Sequence, residues 1–322
     1  MPIFNRLALI AALGLLAVQT LPAMAQDKQD KIILGDVGVG SSNHWPLYVA
    51  MEKGWADEAK LTFENISIPS SAAVMQQLAA GAVDIGTTGL ADALRGADKG
   101  APARVLRIEI GPSPYEVVSA PNVKTWADLR GKTVMIGGVK DITRIYFEDM
   151  AKANGLKPGE YDYIYAGATG ARFAALASGS IAATILVPPF NFKALSSGFN
   201  SLGDSATYTK NVPFTGYTVN VDWAKKNKSA IKKMLDLYAR GIDWLYDPKN
   251  KDEAVAILVK RLKADPKDSA DTYDFFVKLK VFDRDGDVAK SGIENLIKIL
   301  KDQGEIEGST DLSRFYDASL TK

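Results

Sequence analysis

One sequence element occurs twice in this chain, 98 positions apart, and it restricts the fold more than any other feature. In both copies, LAAGAVDIGTTG and LASGSIAATILVPP, an Ala-rich helical run stops at a glycine, Gly81 or Gly179. Glycine readily takes the left-handed conformation that ends a helix, and an apolar strand is predicted to follow at once. Each copy is preceded by a strand, a polar loop and a helix. The sequence therefore predicts two similar α/β lobes with a ligand-binding cleft between them.

The N-terminus is predicted to be a secretory signal peptide covering residues 1–25. Arg6 supplies a positive charge, Leu7 to Val18 form an apolar stretch too short to span a bilayer, and Ala23-Met24-Ala25 is typical of a cleavage site. The alternative, a buried N-terminal helix, does not explain Pro22 and the polar residues that follow Ala25. The remaining chain is long enough for two domains, since the sequence has 322 residues in all.

Charge balance and the lack of cysteine exclude several classes of protein. Without the signal peptide, 38 basic residues stand against 38 acidic ones, which argues against nucleic acid or an anionic membrane as a partner. The sequence has no cysteine, so disulfides, thiol catalysis and a lipid-modified cysteine anchor are excluded. We therefore expect the mature protein to be free in its compartment.

Alternating strands and helices predict a mainly parallel sheet in each lobe. Strands are expected at 32–36, 61–68, 83–86, 105–110, 133–136, 161–165 and 217–221, and the two clearest helices at 72–80 and 142–154.

Two crossings between the lobes are expected, at 111–116 and at 212–218, where prolines and glycines interrupt the pattern. Lobe one would then comprise residues 26–112 and 216–322, and lobe two residues 113–215. Two such crossings form a double hinge that can bend without breaking either core.

Catalytic motifs are missing from the sequence. His44 is the only histidine, and without cysteine a Cys-His pair is impossible. No Gly-x-Ser-x-Gly elbow, zinc-binding helix or phosphate-loop spacing of glycines occurs. The run from Asp283 to Glu294 resembles a calcium-binding loop but carries Val288 where the turn requires glycine, so we expect a polar turn there. The protein is predicted not to be an enzyme.

Two helix starts carry side chains suited to a ligand. His44 and Trp45 precede Pro46, where unpaired helix amides accept an anionic or polar group, although both rings can equally pack as a local lid. Arg144 lies in the first turn of the predicted helix 142–154, where a cation opposes the helix dipole. Its anion is either Asp141, three positions away, or the ligand.

Taken together, these segments resemble periplasmic substrate-binding proteins of ABC importers, in the nitrate/sulfonate/taurine and thiamine-pyrimidine-precursor group. The resemblance covers residues 30–320. It rests on HWPLYVAMEKGWADEAKLTF, the two repeated elements, WADLRGKTV, and DWAKKNKSAIKKMLDLYARGIDWLYDPKNKDEAVAIL. It implies a type II periplasmic binding protein, whose two lobes close on a small-molecule solute and deliver it to a membrane permease. We therefore expect a periplasmic monomer that needs no cofactor or metal.

The resemblance also implies a ligand shell drawn from both lobes. By motif, its positions are Ser41, Ser42, Asn43, His44, Trp45, Ser70, Ser71, Thr87, Thr88, Tyr115, Lys140, Asp141, Thr143, Arg144, Thr169, Pro188 and Phe190. Trp45, Tyr115 and Phe190 offer apolar faces, while His44, Lys140 and Arg144 would bind an acidic group. We therefore expect a small organic anion with an unsaturated or aromatic body.

Some positions depart from the family pattern: Ala182 replaces an Asp, Ala59-Lys60 replaces Glu-Gly, and Lys228 replaces a helix-starting proline. A cytosolic pyrimidine synthase with this fold is a relative, but it depends on a cysteine-rich motif that this sequence lacks. A periplasmic sensor input uses the same clamp as an importer component. The sequence therefore leaves the importer and sensor functions open.

Overall fold

The computed structural model describes residues 29–37, 41–284, 289–317 and 319. The predicted signal peptide and residues 285–288 of the calcium-like turn lie outside this part of the chain. Within it, ten strands form two five-stranded sheets. The strands are β1 (Asp30–Val37), β2 (Leu61–Ile68), β3 (Ile85–Gly89), β4 (Ala103–Ile110), β5 (Glu116–Ser119), β6 (Thr133–Ile136), β7 (Asp162–Tyr165), β8 (Ala183–Leu186), β9 (Asn200–Asp204) and β10 (Thr215–Asn220).

Helices flank both sheets, so the fold is the predicted two-lobed α/β class. They are α1 (Trp45–Glu52), α2 (Trp55–Glu58), α3 (Ser71–Ala80), α4 (Leu90–Asp98), α5 (Ile142–Ala153), α6 (Thr169–Ala177), α7 (Phe190–Ser196), α8 (Ser205–Tyr208), α9 (Val221–Lys226), α10 (Lys228–Tyr246), α11 (Lys251–Leu262), α12 (Pro266–Leu279) and α13 (Ala289–Asp302).

The two sheets have mixed rather than purely parallel pairing. The first has the order β2-β1-β3-β10-β4, with β10 antiparallel to both of its neighbours. The second has the order β7-β6-β8-β5-β9, with β5 antiparallel to β8 and β9. In each sheet, the antiparallel strand is the first one that the chain forms after passing from the other sheet.

The repeated element forms the same structure in both lobes. Gly81 and Gly179 have φ angles of 69° and 74°, in the left-handed region. The next N–H groups, of Ala82 and Ser180, donate back to the carbonyls of Gln77 and Ala175. Because these residues still cap the helices, β3 and β8 begin four positions after the glycine, later than predicted.

Two connections join the sheets. The chain leaves the first sheet after Ile110, enters the second at Glu116, and returns between Asp204 and Thr215. Aromatic rings pack across these connections: Tyr115 and Phe214 meet edge to face with centroids 4.8 Å apart. The Tyr146 hydroxyl donates to the Val212 carbonyl at 3.1 Å. The two connections are therefore held close together.

Asn220 connects two helices of the first lobe. Its Oδ1 accepts from the N–H groups of Asp222 and Trp223, both at 3.0 Å, and caps α9. Its Nδ2 donates to the Leu78 carbonyl in the last turn of α3 at 2.7 Å. The side chain is buried, so both ends of this link are shielded from water.

We expect Asn220→Ala to lower the free energy of unfolding by about 2–4 kcal/mol, because the cap and the donor to a buried carbonyl are lost together. Asn220→Ser retains a good capping oxygen but is too short to reach Leu78, so it should lose about half as much. Urea unfolding measures both values. Equal losses for the two variants would show that the cap contributes nothing, and an unchanged stability of Asn220→Ser would show the same of the bond to Leu78.

Candidate functional site

A cleft of about 690 Å³, partly open to solvent, lies between the two lobes. It lies where the parallel strands end, at the place where α/β sheets commonly bind ligands. One wall comes from the first lobe and the other from the second. The lining residues are Asp36, Val37, Ser41, Asn43, Ser71, Thr87, Gly89, Tyr115, Asp141, Ile142, Gly167, Ala168, Thr169, Gly170, Arg172, Val187, Phe190, Phe214 and Thr215.

Eight of the predicted site residues line this cleft. They come from both lobes and include two of the three expected aromatic or apolar faces: Ser41, Asn43, Ser71, Thr87, Tyr115, Asp141, Thr169 and Phe190.

Other predicted residues have structural contacts near the cleft. The Ser42 hydroxyl donates to the Pro188 carbonyl at 2.8 Å and so links the lobes. Ser70 caps α3 by accepting from the Ala73 N–H. Thr88 is fully buried and hydrogen-bonds the Thr218 hydroxyl at 2.7 Å.

Trp45 belongs to the core of the first lobe. Its side chain is fully buried, and its Nε1 donates to the Ala254 carbonyl at 3.1 Å. Its ring packs edge to face against Tyr273. Trp45 therefore holds α1 against the C-terminal helices.

The predicted cations of the second lobe turn away from the cleft. Arg144 Nε pairs with Glu148 at 2.7 Å, and its Nη1 donates to the Val139 carbonyl. The acid that pairs with Arg144 is therefore Glu148, and neither Asp141 nor a ligand is needed. Lys140 is 59% exposed, with its Nζ 3.9 Å from a Glu305 oxygen.

His44 is buried between two carboxylates rather than exposed at the cleft surface. Its Nε2 lies 3.0 Å from Asp36 Oδ1, and its Nδ1 lies 2.8 Å from Glu109 Oε1. Burial alone would lower the pKa of His44, but the charges of Asp36 and Glu109 outweigh it and hold the pKa well above 6.5. His44 is therefore an imidazolium at neutral pH, and it donates from both nitrogens.

We expect ¹⁵N-histidine NMR to show both ring nitrogens of His44 protonated at pH 7.5 in the folded protein. In urea, the same residue should titrate near 6.5. Because the folded pKa is raised, the stabilisation is fully present below pH ~6.5 and is lost as the pH rises through the folded pKa. The spectrum is unambiguous in untagged protein, since the chain has one histidine. A neutral ring at pH 7.5 would contradict the ion pairs.

Arg172 is a buried cation that the sequence analysis did not identify. Its side chain is 1% exposed and lies under the loop before α6. Its Nε donates to the Ile185 carbonyl and its Nη1 to the carbonyls of Ala166 and Gly167. Its Nη2 contacts Thr169 Oγ1 at 2.7 Å and the Tyr115 hydroxyl at 3.4 Å. All five N–H donors of the guanidinium are thus engaged by the protein.

Asp36 was also missed. It is the next-to-last residue of β1 and lines the cleft, with its side chain 14% exposed. A sequence signal existed, because Asp36 is an acid at the carboxyl end of the first strand, directly before a glycine-containing loop. No comparable signal marks Arg172, since an arginine in an Ala-rich helix usually faces solvent.

A family model described as NMT1/THI5 like matches residues 41–251. No curated protein matches the sequence. Among solved structures, the chain is similar to the ligand-binding component of an ABC-type import system from Staphylococcus aureus, solved with zinc bound. The TM-score is 0.78 at 14% identity, covering 91% of this chain and 98% of that one.

Two further structures share the fold. The periplasmic nitrate-binding protein NrtA from Synechocystis PCC 6803 has a TM-score of 0.74 at 16% identity, with 90% of this chain and 86% of that one covered. The periplasmic aliphatic sulphonate-binding protein SsuA from Escherichia coli has a TM-score of 0.69 at 17% identity, covering 90% and 92%.

The described residues contain neither a metal-binding cluster nor a membrane-spanning helix. No group of three or more His, Cys, Asp or Glu side chains in that part of the chain is arranged to hold a metal ion. None of its helices combines the length and apolar character of a membrane span.

Proposed function

Because this chain belongs to the NMT1/THI5-like family, we propose that it is the extracytoplasmic solute-binding component of an ABC importer. The observation that carries the proposal is the cleft, whose walls come from two lobes that only two connections join. A solute bound there touches both lobes at once, so its binding energy favours the closed arrangement. The protein would deliver the solute unchanged to a membrane permease and would catalyse no reaction.

We infer that the lobes move about the connections at 111–116 and 212–218, with lobe one formed by residues 26–112 and 216–322 and lobe two by residues 113–215. Direct contacts between the lobes support this division, since contacts of this kind would form when the two lobes close on a solute. Ser42 donates to the Pro188 carbonyl, and the rings of Phe192 and Phe275 meet edge to face with centroids 5.8 Å apart.

The solute would be a small organic molecule with an apolar or aromatic body. Tyr115, Phe190 and Phe214 line the cleft and supply ring faces. The expected anion stays a prediction, and the geometry lends it little support. His44 is already paired with carboxylates, and Arg144 and Lys140 pair with acids away from the cleft.

We expect a thermal-shift screen of residues 26–322 to identify a solute among sulfonates, carboxylates, nitrate, pyrimidines, amino acids and amines. A ligand at 100 times its Kd stabilises the folded state by about 2.7 kcal/mol. Small-angle scattering with that solute should show a smaller radius of gyration, and mass spectrometry should recover the solute unchanged. Chemical conversion of the solute, or binding without compaction, would contradict the proposal.

Gly167 offers a direct test of closure. A Cβ added at this position would lie 2.5 Å from the Pro69 carbonyl oxygen and 2.8 Å from Ser70 Cβ, both in the opposite lobe. We expect Gly167→Ala to weaken solute binding at least tenfold, because the added methyl group holds the lobes apart. Calorimetric titration with the solute found in the screen measures the effect.

Gly138→Ala is the matched control, since its nearest atom, Asp141 Cβ, would be at an ordinary contact distance of 3.5 Å. It should leave the affinity within about twofold. Unfolding free energy should change by less than about 1 kcal/mol in both variants, because neither site is in a lobe core. Unchanged affinity in Gly167→Ala would contradict the closure.

A further inference from the structure

Two carboxylates face the cleft, one from each lobe. Asp36 comes from the end of β1, and Asp141 comes from the start of α5. Each is held in place through one oxygen, while within the described residues the other oxygen has no protein hydrogen bond. These two free oxygens are therefore acceptors directed at whatever occupies the cleft.

Asp141 is held by its own helix. Its Oδ1 accepts from the Thr143 N–H at 2.9 Å and from the Thr143 hydroxyl at 2.6 Å. The carboxylate sits directly against Gly137, where an added Cβ would fall 2.5 Å from Asp141 Cγ. Only glycine leaves room for the carboxylate in this position, and the two bonds from Thr143 hold it there through Oδ1.

Asp36 is held by the buried imidazolium. His44 Nε2 contacts Oδ1 at 3.0 Å, and Glu109 fixes the other side of the same ring. Thr87 also contacts His44 Nε2, at 3.3 Å, and steadies the ring. The charge of His44 is shared between two carboxylates, so the Asp36 side of the cleft retains negative charge.

A third acceptor lacks a partner in the same wall. Asn43 lines the cleft and is 6% exposed, and its Oδ1 is buried without a hydrogen bond in the part of the chain described. A buried acceptor left unpaired costs about 1–3 kcal/mol. A donor on the bound solute would remove that cost.

Two arginines of the described residues near the cleft are engaged by the protein and are not available to a ligand. Arg172 donates all five of its N–H groups to the protein. Arg95 of α4 pairs with Asp92 and Glu305 and donates to the Lys140 carbonyl. Burial raises the pKa of Asp92, the charge of Arg95 lowers it, and the charge of Asp141 raises it, so Asp141 of the second lobe acts on an acid of the first lobe across this interface.

From these observations we propose that the solute carries a positively charged nitrogen group, a protonated amine or an amidinium, which donates to Asp36 and Asp141 together. This inference rests on the proposed solute-binding function and names the solute class. The rings of Tyr115, Phe190 and Phe214 suit the same class, since a cation is attracted to an aromatic face.

The first turn of α6 adds backbone donors to the wall formed by the second lobe. The N–H groups of Thr169 and Gly170 have no partner within their own helix, and both residues line the cleft. They would suit an acceptor at the other end of the solute, so a zwitterion satisfies both the two acids and these donors. The positive nitrogen is the part that distinguishes the proposal from an anionic solute.

Matched probes test the charge directly. We would titrate three series that keep the carbon body constant: benzamidine, benzamide and benzoate; phenethylamine, phenethyl alcohol and 3-phenylpropionate; and taurine with isethionate. We expect at least one cationic or zwitterionic member to raise the melting temperature and to bind at least tenfold more tightly than its neutral and anionic counterparts.

Neutralising each carboxylate tests the residues. Asp141→Asn keeps the helix cap, because asparagine caps as well as aspartate. Asp36→Asn keeps the shape but removes the charge. Each variant should weaken the binding of the tightest cationic probe about 10- to 100-fold. The control Asp236→Asn removes a charge at a side chain that is 66% exposed and pairs with Lys232, and it should leave the Kd within about twofold.

The outcomes separate this inference from the proposed function. If an anionic or neutral probe binds most tightly and compacts the protein, the inferred positive nitrogen is wrong and the proposed closure on a solute is retained. A cation that binds without compaction supports the inferred positive nitrogen and contradicts the proposed closure of the lobes. No binding by any probe, or unchanged affinity in both folded Asp→Asn variants, overturns the inference. Should Asp36→Asn fail to fold, Asp141→Asn alone decides.

Discussion

The ion pairs of His44 organise the first lobe and its side of the cleft. The imidazolium contacts Asp36 at the end of β1, Glu109 in β4 and Thr87 in β3, while the Tyr217 hydroxyl of β10 lies 3.2 Å from its Nδ1. Four of the five strands in the sheet therefore meet at one charged ring. Removing one partner of such a buried pair typically costs 3–5 kcal/mol, since an uncompensated charge is left behind.

The same arrangement makes the wall of the cleft rigid before a solute arrives. The second lobe reaches a similar result by a different route, because Arg172 binds the carbonyls of Ala166 and Gly167 and fixes the loop before α6. Both walls are thus built from buried charges whose hydrogen bonds are directed at the protein. Binding then requires little reordering of side chains, which lowers the entropy cost of taking up a small molecule.

Much of the fold could be predicted from the sequence, because its signals are local. Glycine at the two helix ends and the strand-forming segments at 61–68 and 133–136 lead to elements with nearly the expected bounds. The direction of β10 could not be predicted, since all six residues are buried and show no alternation. β9 was missed because only Leu202 of its five residues is buried, so it lacks a strand pattern.

The site was predicted less completely, for a related reason. A motif indicates which loop borders a cleft, but the direction of each side chain depends on packing. At the start of α5, Asp141 and Ile142 face the cleft while Arg144 turns to Glu148. These residues are neighbours in sequence, yet successive positions of a helix point about 100° apart. Arg172 was not predicted as a site residue, because its burial depends on hydrogen bonds to carbonyls from three separate positions.

Some contacts between the lobes favour their closure, and others oppose it. Three contacts favour the closed arrangement without any solute. They are the hydrogen bond from Ser42 to Pro188, the hydrogen bond from Arg95 to the Lys140 carbonyl, and the packing of α7 on α12. The acids Asp36 and Asp141, which face the cleft from the two lobes, oppose the closed arrangement, because like charges repel most strongly where water is excluded. A ligand shifts such an equilibrium only by its differential affinity for the two states. Because the repulsion exists mainly in the closed state, a solute that neutralises it binds that state selectively, and the acidic walls themselves would couple capture to closing.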